Sequence, residues 1–118
     1  MRTIELAGTC DASGDLTLTG TDVIQGFLEK IEMDYDDGDT GADVVFTSLG
    51  TVSQPIMTKA DLGTADATFY PRTLANKVAD GSAFTDVAEK IYVSGKMKAV
   101  ISAGGVSKNF RFLIYVSD

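Results

Sequence analysis

Five aspartates crowd one short stretch: Asp34, Asp36, Asp37, Asp39 and Asp43. Carboxylates at alternating positions of a turn are the donors calcium prefers, and the ion takes about 6–8 oxygens. The EF-hand register fails. With Asp34 as the first ligand, Asp39 holds the sixth position, where glycine is needed, and Val45 holds the twelfth, where glutamate is needed. A solvated turn accounts for the same composition, because Asp and Gly satisfy tight-turn backbone on their own. Cys10 is the single thiol, with no histidine anywhere to activate it and Asp11 beside it, a carboxylate that disfavours a thiolate. Paired carboxylates serve glycosidases as acid and base. Their clefts are usually lined with aromatic rings, and this chain has no Trp and 8% aromatic residues. Gly104-Gly105-Val106-Ser107-Lys108 lacks the spacing and the following helix of a phosphate loop. The expectation is a non-enzymatic chain with no catalytic residues, no metal and no other cofactor.

The most distinctive cluster is Phe69-Tyr70-Pro71-Arg72. Two aromatics and an arginine beside a proline-fixed turn have the composition of interface anchors, since Tyr and Arg are enriched in binding hot spots. A second role fits the same residues. Phe69 and Tyr70 could plug the end of a β-sandwich while Arg72 pairs with a local carboxylate. Both are kept, with Phe69, Tyr70, Pro71 and Arg72 as the candidate partner interface.

These residues sit in a chain of 118, with 10 Lys plus Arg against 17 Asp plus Glu, for a net charge of −7. The length suits one domain, residues 1–118, and 44% apolar content suits a packed core. The negative balance repels phosphate and disfavours direct nucleic-acid binding. One cysteine cannot build a disulfide framework. No apolar run approaches the ~20 residues that span a bilayer, so no membrane role is expected.

The dominant period is two, the mark of strands. Ile4 and Leu6 alternate with polar neighbours, as do Leu16 and Leu18, with turn-forming residues 10–14 between them. Residues 1–20 therefore read as an opening hairpin or arm. Residues 23–35 fit a long strand better than a helix. Phe27, Ile31, Met33 and Tyr35 would then share a face, with Gly26 marking a bulge or bend. Further strands are expected at 42–48, with Val44 and Phe46 on one face, and at 53–59, an edge because of Pro55. Residues 61–89 hold no sustained period and read as a long irregular excursion. A turn of helix is expected at 74–79, with Phe69, Tyr70 and Phe84 pinning the excursion to the body. Beyond Ile91 and Val93, Gly95 suggests a turn. Met97, Ala99 and Ile101 alternate, Gly104-Gly105 signals a hairpin, and Phe110, Phe112, Ile114 and Val116 share the closing face. The class predicted is all-β, a sandwich or partly closed barrel of about seven or eight mainly antiparallel strands.

One resemblance adds to this. Tyr70-Pro71-Arg72 is followed by a loop with Asp80-Gly81. The run Glu89-Lys90-Ile91-Tyr92-Val93-Ser94-Gly95-Lys96-Met97-Lys98-Ala99-Val100 comes next, then Gly104-Gly105 and a terminal aliphatic strand. This order, with Ile31-Glu32-Met33-Asp34-Tyr35 and its acidic turn, resembles a group of small structural proteins of tailed bacteriophages over residues 20–118. The resemblance implies a virion structural protein without catalytic activity, assembled in the host cytoplasm. Its implied place is the capsid surface, as a decoration or cement protein. Its implied partners are the major capsid protein and copies of itself, commonly as a trimer. A head–tail connector or neck component is the main competitor. From a different class, a carbohydrate- or calcium-dependent adhesion module is motivated by the acidic turn on a sandwich scaffold.

Overall fold

The computed structural model describes residues 1–34, 38, 41–63, 65–76 and 83–117. Alternation in the sequence becomes ten strands: β1 (Arg2–Thr9), β2 (Leu16–Thr19), β3 (Ile24–Met33), β4 (Asp43–Leu49), β5 (Ser53–Lys59), β6 (Ala67–Phe69), β7 (Arg72–Asn76), β8 (Ala83–Lys90), β9 (Tyr92–Ser102) and β10 (Asn109–Ser117). No helix occurs among the described residues. Eight strands form one antiparallel sheet in the order β1-β10-β3-β9-β4-β5, with β2 also paired to β9 and β6 to β3. The pair β7-β8 forms a separate sheet.

Strand β9 is what folds the large sheet over. Its first residues, Tyr92–Gly95, pair with β3. Its remainder, Lys96–Ser102, pairs with β4, and within that stretch also with β2. The change comes at Gly95, whose φ of 100° is the left-handed conformation that side chains resist. A Cβ there would lie 2.2 Å from the Leu49 carbonyl oxygen. Gly95 is thus a bend within one continuous strand, not the turn its position in the sequence suggests. One layer is then β1-β10-β3-β6 and the other β2-β9-β4-β5.

The two layers share one core. Phe46 from β4 meets Phe112 from β10 edge-on, with ring centroids 5.1 Å apart. Leu28, Ile31, Val44, Val93, Met97, Ile101 and Ile114 are fully buried around them. Each such side chain contributes about 1.5–3 kcal/mol through removal from water.

Neither expected hairpin in the body forms. Strand β1 pairs with β10 along all eight of its residues, and β2 pairs with β9. Strands β9 and β10 likewise do not pair with each other. In both cases the connecting loop crosses between layers. Both strands of each pair have an apolar face, and crossing lets those faces meet across the core rather than lie side by side. The two crossing loops clasp: Gly104 N–H donates to the Gly14 carbonyl and Cys10 N–H to the Lys108 carbonyl, both at 2.8 Å. Asp11 organises its own loop by accepting from the backbone N–H groups of Ser13 and Asp15.

Strand β3 carries a second correction. Tyr115 pairs with Lys30 and Val116 with Leu28, so Glu29 is the extra residue of a bulge. Ile24, Gly26 and Leu28 point inward before it, Ile31 and Met33 after it. Phe27 consequently leaves the core face that it was expected to share with Ile31. Gly26 is not the bulge; it admits the end of β10, since a Cβ there would stand 2.2 Å from the Ser117 carbonyl oxygen.

Residues 61–89 are more ordered than their lack of period suggests, because β6, β7 and β8 lie within them. Leu74 to Asn76 belong to β7 rather than to a turn of helix. Residues 77–79 and the Phe84 side chain lie outside the described part. Strand β5 ends the sheet order, the edge position expected from Pro55. The radius of gyration is 15.0 Å and the longest dimension 50 Å. A compact chain of this length would have a radius of about 13–14 Å, so the molecule is elongated.

Candidate protein interface

The β7-β8 hairpin is an arm. Its two strands pair with each other, Arg72 opposite Lys90 at the root, and its main contact with the body is with β3. The bulge at Glu29 supplies the anchorage. A bulged residue leaves the ladder, which frees its carbonyl and re-aims its side chain. The Glu29 carbonyl accepts a hydrogen bond from Arg72 Nη1 at 3.2 Å. Glu29 Oε1 accepts from Lys90 Nζ and from Ser117 Oγ, each at 2.7 Å. One residue of the body thus holds both strands of the arm and the end of β10. The hydrogen bond from Lys90, followed by that from Ser117, holds the Glu29 carboxyl below the ordinary glutamate range.

Beside this latch is a cleft of about 590 Å³ lined by both body and arm: Phe27, Gln54, Thr73, Glu89, Lys90 and Tyr92 frame it. Phe27 and Tyr92 are directly opposite on β3 and β9, with rings edge-on at 5.2 Å. Both remain substantially exposed, at 42% and 51%. Paired aromatics left in water at the root of a projecting arm are unusual for a surface with no partner.

The four residues picked from the sequence divide. Phe69 closes β6 opposite Ile31 and packs half-buried against the core. Pro71 is buried. Arg72 donates to the Glu29 and Pro71 carbonyls, and its charge also helps to lower the Glu29 carboxyl. Tyr70 faces water, 63% exposed. Three of the four therefore position the arm, and Tyr70 is the one presented outward. Glu29, Lys90, Phe27 and Tyr92 were not picked. The available signal was parity: the even-numbered Ile24 and Leu28 share a face with the odd-numbered Ile31 and Met33 only if a residue is inserted between them.

The remaining chemical candidates are spread through the fold. Asp34 pairs with Arg111 at 2.8 Å, and Asp43 accepts the Asp61 N–H at 3.0 Å. Asp36, Asp37 and Asp39 lie outside the described residues. Among the described residues no three metal-ligating side chains converge. Cys10 is buried beneath Gly104, where a Cβ would meet its sulfur at 2.8 Å. The outer face of the first layer is a ladder of paired charges. Arg111 also reaches Glu5 at 3.1 Å, Lys30 pairs with Glu32 at 3.4 Å and lies 4.7 Å from the Tyr115 ring centre. Tyr115 donates to Glu32, which raises the tyrosine and lowers the glutamate. No protein-family model, curated protein or solved structure matches the chain.

Proposed function

We propose that this chain is a non-enzymatic structural protein of a tailed-phage virion, a decoration or cement protein that stabilises the capsid by contacts with the major capsid protein and with copies of itself. The observation that carries this reading is the arm. An isolated two-stranded hairpin is marginally stable in water, because neither face nor edge is covered. A hairpin fixed at its root on the body is suited to lie across a neighbouring subunit, which would cover it. Tyr70 and the Phe27–Tyr92 pair would be buried in the same event. Repeated over a capsid, contacts that are individually modest add up through multivalency.

The test is binding of the purified chain to expanded heads that lack it. Saturable binding that raises head stability supports decoration, and a variant with residues 73–89 replaced by a short glycine-containing turn should lose it while the body still folds. Binding confined to the portal or tail ring would favour the connector reading instead.

A further inference from the structure

The two outer faces of the sandwich differ in how their charges are neutralised. On the β1-β10-β3 face, Arg111 and Lys30 each have a carboxylate within 4 Å. On the β2-β9-β4-β5 face, Lys96 and Lys98 project from β9, and no ion pair engages either among the described residues. Apart from Asp43 at its far end, this face carries no acid within its strands; its other outward residues include Thr17, Thr19, Val45, Thr47, Leu49 and Val100. Val45 and Val100 pair directly, and Val45 is 39% exposed. The face is a patch of threonine and apolar side chains with two cations that no described carboxylate pairs, on a chain of net charge −7.

The acids are gathered elsewhere. Asp34 follows β3, Asp43 opens β4, Asp61 follows β5 and Asp66 precedes β6, and all four lie at one end of the molecule. Arg111 pairs with Asp34, and Lys59 is opposite Val44, next to Asp43. This end cannot neutralise the lysines of its own chain. Lys98 is opposite Thr47 and Lys96 opposite Leu49, four and six residues along β4 from Asp43. At about 3.3 Å per residue these separations are roughly 13 and 20 Å, beyond the Debye length of about 8 Å at physiological salt.

We propose that the Lys96–Lys98 face docks the acidic end of a second copy of this chain. The proposal rests on the reading that the protein assembles with itself, and it names the surfaces. Contact between two different patches is heterologous, so it closes into a ring or runs on as a filament. The Val45–Val100 pair would lie at its centre and the two lysines would fix its register.

Sedimentation velocity on the full chain, over a range of protein and salt concentrations, tests this. The expected result is an oligomer that dissociates as salt approaches ~1 M, where the Debye length is about 3 Å. Lys96→Glu with Lys98→Glu should weaken association by at least about tenfold with an unchanged circular dichroism spectrum. Asp61→Lys with Asp66→Lys should weaken it similarly, and mixing the two variant proteins should restore hetero-association. The proposal is overturned if the wild type stays monomeric, if the oligomer survives the lysine changes, or if the mixed variants fail to associate. Head binding measured on the same proteins separates this from the proposed function, because a monomer that still saturates heads defeats the docking surface alone.

Discussion

The body surrounds Phe46, Phe112 and their neighbours with a dry core drawn from two layers, whereas the β7-β8 arm meets the body chiefly at the Glu29 bulge. The first region is stabilised by the hydrophobic effect, spread over many side chains and insensitive to salt or pH. The second depends on a few polar contacts at exposed or half-exposed groups, each of which water can replace. Regions of low local stability are the ones that rearrange when a partner arrives. The contrast is between a core that folds as a unit and a hairpin held chiefly at its root.

The largest effect should come from the core. Phe112→Ala removes the ring that joins β10 to Phe46 on β4 and stacks on Phe110, and should cost about 3–5 kcal/mol in chemical denaturation, with the whole body lost together. A small change would mean that the two layers do not form one cooperative unit. Gly26→Val comes next. Its Cβ has no room beside the Ser117 carbonyl, so β3 must separate from the end of β10, at about 1–3 kcal/mol. Because Ser117 also binds Glu29, this variant should loosen the arm as well as the body.

Glu29→Ala should leave the denaturation midpoint of the body nearly unchanged and speed amide exchange in residues 72–76 and 83–90. Equal acceleration throughout the chain would erase the distinction between arm and body. A smaller effect follows from pH. Glu29 is held below its unfolded value by Lys90 and Ser117. Its contribution is therefore fully present above the ordinary glutamate range and is lost as pH falls through that range and then through the lowered folded value. Protection of the arm, taken relative to the intrinsic exchange rate at each pH, should fall on acidification before the body unfolds, and Lys90→Met should blunt that dependence. Arm exchange with the same pH dependence in wild type and Lys90→Met would remove Glu29 from the role of latch.

Much of the body was legible because burial on one side imposes a strict period of two. Val44, Phe46, Met97, Ile101, Phe112 and Ile114 all lie where alternation places them. Pairing partners were less legible, because alternation states that a strand has an apolar face but not which strand lies beside it. That is why residues 10–14 and Gly104-Gly105 read as hairpins when they cross between layers. The Glu29 bulge was hidden for a related reason: an inserted residue changes the face of everything after it, and the glycine nearby drew attention to the wrong position. The arm left the weakest trace. An element that pairs chiefly with itself is under less pressure to alternate, so β7 and β8 carry little period even though they pair. Glu29 and Lys90 are 61 residues apart, and no local pattern announces that they meet.

The most direct measurement is a reconstruction of the phage particle with this chain bound, at a resolution that traces strands. A capsid decoration protein gives many copies on the outer shell, each with residues 72–90 laid over an adjacent subunit and Tyr70, Phe27 and Tyr92 covered. Density for the chain only at the neck, or copies on the shell whose arms touch nothing, would contradict that role.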